Sequence, residues 1–197
     1  MTFEQAMEQR RSQYALGANL PISKEEVENI VAHAIKHVPS SFNSQSARVA
    51  LLFGESHQQL WTITKESLRA IVPQDQFSAT EQKIDGFAAG AGTILFFEDQ
   101  HVIQSLINKF TLYAKNFPVW SEQSSGMLQY AIWTRLAEQQ VGATLQHYNE
   151  LIADEVKNTF SIPYNWTLTA QMPFGNITAL PKEKTFSLVE QRFIVFH

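Results

Sequence analysis

Residues 92–99 read "GTILFFED". A strand with one wet face alternates apolar and polar residues. This run is apolar almost throughout, so it predicts a strand buried on both faces. Such a strand needs cover on each side, and the flanking sequence supplies it. Upstream, "ARVALLF" (47–53) predicts a second strand, and Leu60, Trp61, Leu68 and Ile71 mark a helix over about 56–72. Downstream, Val102, Ile103, Leu106, Ile107, Phe110, Tyr113 and Phe117 mark another helix, and Met127 to Leu136 a long one. "GATLQ" (142–146) and "WTLTAQM" (166–172) predict strands, with a helix over about 151–160 between them.

Towards the N-terminus, residues 2–15 place Phe3, Ala6, Met7 and Tyr14 on a short amphipathic helix ending in basic residues. "SKEE" (23–26) has the spacing of a capping box, and Val27, Ile30, Val31, Ala34, Ile35 and Val38 continue from it with a 3.6-residue period until Pro39. At the far end "RFIVF" (192–196) predicts a terminal strand. Its apolar tail either completes its own sheet or adds a strand to a partner's. Together these elements predict one α+β domain over 1–197, a central sheet wrapped by helices.

The chain has 197 residues, no cysteine and a net charge of −4. The absence of cysteine excludes disulfides, Cys-ligated zinc, iron–sulfur clusters and thiol catalysis. The mild acidity, with no basic runs, argues against nucleic acid or an anionic membrane as a partner. No apolar run reaches membrane-spanning length and the N-terminal stretch lacks the apolar core of a signal peptide, so a cytoplasmic location is expected. Fourteen Phe, five Tyr and four Trp exceed what a small core requires, and point to an apolar cleft or a broad subunit interface.

Several short stretches carry polar chemistry. Arg10-Arg11-Ser12 reads either as cations at the negative end of a helix dipole or as a phosphate grip. "PSSFNSQ" (39–45) reads either as a capping turn or as a set of hydroxyls and carboxamides for a polyol chain and a heterocycle edge. "AAGAGT" (88–93) precedes a strand instead of following one, which excludes the dinucleotide fingerprint. His33 and His37 stand four apart on a helix without a third ligand, so they read as a solvated pair and no metal is expected. Tyr113, Phe117 and Trp120 form an aromatic stripe that serves a core or roofs an aromatic substrate. His147 has no nucleophile to activate, which argues against a hydrolytic triad. Lys182 and Lys184 are solvated loop charges or the completion of an anion site begun by Arg10.

Taken in order, these motifs resemble the nitroreductase family of FMN-dependent oxidoreductases. The resemblance rests on Arg10-Arg11-Ser12, on Pro39 to Gln45 and on the basic segment around Lys184, and runs nearly end to end. "GTILFFED", "GMLQYAIWTRLAEQQVGATLQHYN", "IPYNW" and "AQMPFG" resemble a short branch of that family related to yeast Frm2 and Hbn1. It implies a mixed or antiparallel sheet, a homodimer with two sites at the subunit interface, and a C-terminal tail strand exchanged with the partner. Carried over by position, Arg10, Arg11, Ser12 and Lys184 would meet the FMN phosphate end. Ser40, Ser41, Asn43 and Gln45 would reach the ribityl chain or ring from the other subunit. Leu145, Gln146 and His147 would run along the isoalloxazine edge, with a backbone N–H facing N5.

Two positions depart from the family pattern. Tyr14 stands where many relatives have a cation against the flavin pyrimidine, and Ser46-Ala47 stands where Pro-Trp commonly follows the glutamine. Arg11, Arg48 and Lys83 are the candidates for the missing charge. The implied reaction takes hydride from NADH or NADPH to the flavin and passes two electrons to a nitroaromatic or quinone, with no catalytic side chain and with Tyr113, Phe117, Trp120 and Tyr148 facing the substrate. A detoxification or stress role is expected. The rival reading is a flavin-binding regulatory protein with incidental turnover; a cobalamin-ligand synthase or a dehalogenase are the enzyme alternatives.

Overall fold

The computed structural model describes residues 1–197. Its centre is β3 (Gly92–Asp99), every residue of which is buried. Ile94 and Phe96 point into one apolar core and Leu95 and Phe97 into another, so the run without polar interruption follows from a strand with a core on each face. β2 (Ala47–Phe53) pairs with one edge of β3 and β5 (Trp166–Ile177) with the other. Short strands β1 (Leu16–Gly17) and β4 (Val141–Ala143) pair with the end of β5. All strand pairings are antiparallel; the one parallel link is an isolated bridge between Ser12 and Ala143. Backbones crowd at that end of the sheet: a Cβ on Gly175 would lie 2.1 Å from the Gly17 carbonyl oxygen, so only glycine fits there.

On the first face lie α2 (Lys24–His37) and α6 (Phe117–Glu138), which bury Val27, Ile30, Leu128 and Ile132 against Phe96 and Met172. The capping box at Ser23 and Glu26 forms as its spacing requires. On the second face α3 (Gly54–Arg69), α4 (Phe77–Ala88) and α7 (Asn149–Phe160) bury Leu60, Trp61, Ile84, Phe87 and Ile152 against Leu95 and Phe97.

Three expectations are corrected, and one further helix appears. The first helix, α1, spans only Phe3–Gln9, because Arg10 turns extended (φ −62, ψ 107) and Gln13 gives its N–H to Ala143. Sheet pairing there overrides the helical period. The helix expected through Phe117 ends with α5 (Gln100–Lys109), and a bend over 110–116 precedes α6, whose first turn holds Pro118. Helix α4 was not anticipated: Phe77, Ile84 and Phe87 are its only buried residues, too sparse a stripe to read against Gly86. Finally, "RFIVF" forms no strand in its own sheet; residues 181–197 carry only a short turn at 189–191. Phe186, Leu188, Phe193, Ile194 and Phe196 all stand exposed.

Candidate functional site

The extended turn after α1 places Arg10, Arg11 and Ser12 along β4 and opposite the segment that follows β5. Together with Lys182 and Lys184 they line a cleft of about 710 Å³. Arg11 donates through Nη2 to the Lys182 carbonyl at 2.6 Å, joining the two walls. The Arg10 guanidinium lies 4.3 Å from the centre of the Trp133 ring, and its buried Nε has no partner within the chain. Stacking orients the guanidinium while leaving donors free, a disposition suited to an anion with several oxygens. Glu183 is the one acid lining the cleft against four cations.

The arginine segment adjoins residues 144–148. Gln13 N–H and the Trp133 indole N–H both donate to the Ala143 carbonyl, at 3.0 and 3.2 Å. Gln146 exchanges two backbone hydrogen bonds with Gln171 (2.7 and 2.9 Å), and Tyr148 N–H donates to the Gln171 side chain at 2.8 Å. Leu145 and His147, on either side of Gln146, give their N–H groups to no acceptor in the chain. Tyr14, Lys83 and Tyr148 gather nearby around Phe87: the Tyr14 ring lies 6.2 Å from Phe87, and the Lys83 ammonium lies 5.8 Å from Phe87 and 5.9 Å from Tyr148. Lys83 forms no ion pair, whereas Arg11 is held by Lys182 and Arg48 by Asp99.

The 39–45 motif lies elsewhere, at the start of β2. Phe42, Asn43 and Gln45 all hold left-handed backbone (φ 58, 49 and 50). Such conformations cost about 1–3 kcal/mol each outside glycine and persist only where surroundings impose them. Here Gln45 N–H donates to Ser40 Oγ at 2.9 Å, and Asn43 N–H to the Ser40 carbonyl at 2.9 Å. The Gln45 carbonyl accepts from Arg48 at 2.8 Å, and Arg48 is paired with Asp99 at 2.9 Å. Although burial opposes Asp99's charge, hydrogen bonds from Asn165 and from His101 N–H, with Arg48 beside it, hold the carboxyl below its usual range. The adjacent Glu98 is buried, accepts from Ser46 Oγ (2.6 Å) and Ser121 Oγ (2.8 Å), and is pushed upward by that burial. Ser40, Asn43 and Gln45 line a cleft of about 190 Å³ that shares no residue with the arginine cleft.

Phe42 is the centre of an aromatic group. It stacks on Trp120 at 6.1 Å and 21°, and lies 5.3 Å from Phe117, 5.9 Å from Tyr113 and 4.9 Å from Phe110. The expected substrate-facing set therefore divides. Tyr113 and Trp120 stay together with Phe42. Phe117 is only 2 % exposed and supports them from beneath, which corrects its placement on the open face. Tyr148 belongs to the other side of the sheet, edge-on to Trp61. Phe42, inside the 39–45 motif, and Phe110 complete this group, and no local pattern gives either a place in it. His33 and His37 are exposed, their rings 4.5 Å apart.

Residues 7–176 match the nitroreductase family, and the chain belongs to that family. Two proteins of Saccharomyces cerevisiae align with it nearly end to end: the putative nitroreductase HBN1, 33 % identical over 94 % of this chain and 93 % of its own, and the nitroreductase FRM2, 31 % identical over 92 % and 91 %. Among solved structures, nitroreductase CinD of Lactococcus lactis in complex with nicotinic acid superposes with a TM-score of 0.92, is 45 % identical and covers all of both chains; CinD is also known with 4-nitrophenol bound. A putative nitroreductase of Desulfovibrio desulfuricans in complex with FMN shares the fold at a TM-score of 0.67 and 18 % identity, covering 97 % of this chain and 95 % of its own.

Proposed function

We propose that the chain is an FMN-dependent reductase that takes electrons from NADH or NADPH and delivers them in pairs to nitroaromatic or quinone acceptors, working as a homodimer. The observation that carries this reading is the division of its polar chemistry into two clefts of one chain, a cationic one at Arg10–Ser12 and a hydroxyl–carboxamide one at Ser40–Gln45. Two copies would bring one of each together.

The residues fit the cofactor. Arg10, with a buried donor left free, and Arg11, Ser12 and Lys184 suit a phosphate monoester. Ser40, Ser41, Asn43 and Gln45 offer the mixed donors and acceptors a ribityl chain takes. The N–H groups of Leu145 and His147 remain open along the wall where a flat ring edge would lie, with Gln146 pinned between them. Lys83 is the best candidate for the charge that Tyr14 does not supply, being the one of three cations not already engaged. When bound, FMN would supply the two-electron chemistry; the protein orients flat partners and tunes charge.

The other parts of the reading follow the same lines. The exposed tail from Phe186 to Phe196 would cover a second copy and add its strand there. Tyr113, Trp120 and Phe42 present aromatic faces for electron-poor rings, and the named complexes of CinD support acceptors of that size. No helix is long and apolar enough to cross a membrane. A cytoplasmic place and a detoxification or stress role complete the proposal.

Anaerobic stopped-flow mixing of the purified protein with NADH, and separately with NADPH, tests it. Rapid bleaching of the visible flavin band, reversed by a quinone or a nitroaromatic, is the expected result. Bound flavin that stays oxidised would favour the regulatory alternative, and a protein unable to take up FMN would overturn the assignment.

A further inference from the structure

Glu98 takes no part in that reaction, yet three elements converge on it. The residue is 2 % exposed, at the penultimate position of β3 just before Asp99. Ser46, which ends the motif loop, and Ser121, on α6, both donate to the same oxygen, Oε2, while Oε1 has no partner. Burying a carboxyl with one bare oxygen is costly, and the four positions before it in β3, Ile94 to Phe97, are filled by apolar side chains. A strand held by burial alone has no use for it.

What Glu98 does is join the loop to the helix. Ser46 is gripped twice, by its side chain at Glu98 and through its carbonyl by Asp99 N–H at 2.9 Å. Ser121 directly follows Trp120 and lies one helical turn beyond Phe117, the two α6 residues whose rings meet Phe42. One carboxyl oxygen thus fixes both sides of the Phe42 packing and closes the segment whose residues 42, 43 and 45 are left-handed.

We propose that Glu98 is a positioning residue for the flavin: it clasps the 40–46 loop to α6, so that Ser40, Asn43 and Gln45 are presented in the conformation that receives the cofactor. This rests on the reading of that loop as an FMN-binding segment. Two donors on one acceptor oxygen make the clasp a matter of hydrogen bonding, so a neutral acceptor of the same shape should serve.

The test compares Glu98→Gln, which keeps an acceptor oxygen, with Glu98→Leu, which does not. The readouts are the FMN dissociation constant and hydrogen exchange of the loop amides. Glu98→Leu is expected to weaken FMN by about tenfold or more and to speed exchange at residues 43–45, with the β3–β5 amides unchanged; Glu98→Gln should stay within about threefold of the parent. Should Glu98→Leu fail to fold, Ser46→Ala and Ser121→Ala replace it. Either alone opens the clasp, so the double variant should cost little more than the worse single one. Wild-type affinity and loop exchange in Glu98→Leu, equal loss in Glu98→Gln, or full additivity of the two serine variants would overturn the proposal. A parent protein that takes up no FMN defeats the functional reading instead, and loop exchange still reports on the clasp.

Discussion

The ammonium group of Lys83 lies 5.9 Å from the ring of Tyr148, and no acid of the chain pairs with it. Helix α4, invisible in the sequence, thereby delivers a cation to the group formed by Phe87, Tyr14 and Tyr148. Replacing Lys83 by Met should slow flavin reduction by about tenfold to a hundredfold, the size expected for removing one charge from an electrostatic site. Adding Tyr14→Lys to that variant should restore much of the rate. Stopped-flow reduction by the preferred nicotinamide reads both; an unchanged rate in Lys83→Met would return the question to Arg11 and Arg48.

Arg10 offers a sharper test of the cationic cleft. Arg10→Ala removes the proposed charge-assisted phosphate donor and should weaken FMN by about tenfold to a hundredfold. Riboflavin, which lacks the phosphate, should bind the two forms nearly alike. Fluorescence-quenching titrations with both ligands make the comparison, and an equal loss for riboflavin would mean that the effect comes through Trp133 packing.

His57 gives the fold a pH dependence away from the site. It is buried, with Nδ1 2.8 Å from Thr93 Oγ1 and Nε2 3.1 Å from the Ala88 carbonyl, while Trp61 donates to the same Thr93 hydroxyl. That network suits a neutral ring: Nε2–H donates to Ala88 and Nδ1 accepts from Thr93. Burial pushes the His57 pKa down, so the unfolded chain binds a proton that the folded one refuses. Its stabilising share is complete above the unfolded pKa of about 6.5 and is lost as pH falls below it. Glu98, pushed up, works in the opposite sense at higher pH than its ordinary carboxyl range. Urea midpoints of the parent should drop between pH 7.5 and 5.5, and His57→Gln should flatten that slope. Parallel slopes would assign the drop to other groups.

Removal of residues 186–197 tests the tail. The segment exposes Phe186, Leu188, Phe193, Ile194 and Phe196 while leaving Lys182 and Lys184 in place. The shortened chain should sediment as a monomer or a weakened dimer and lose FMN along with it. A full-strength dimer would show that the tail does not hold the second copy.

The sequence disclosed what local periodicity and strong patterns encode. β3 was legible because two cores leave no polar position in it, and α2 because a capping box opens a regular stripe. α4 was not, since three buried anchors spread over twelve residues leave little period to see. The end of α1 was hidden because β4, about 130 residues away along the chain, decides it by pairing Ala143 with the Ser12–Gln13 segment. The arginine cleft was legible from its motifs, but the gathering of Lys83 with Tyr148 and the clasp at Glu98 depend on separations that no local pattern records. Tyr113 and Phe117 look alike in a helical stripe; only the bend at 110–116 makes one open and the other buried.

The separation of the Arg10 cleft from the Ser40 cleft within one chain has a genetic consequence. In the proposed dimer each chain lends its arginines to one catalytic unit and its serines to the other. A chain crippled only at Arg10 and a chain crippled only at Asn43 would each be inert as pure dimers. Mixed, they would pair to give one unit ruined twice and one wholly intact, so two dead alleles would complement.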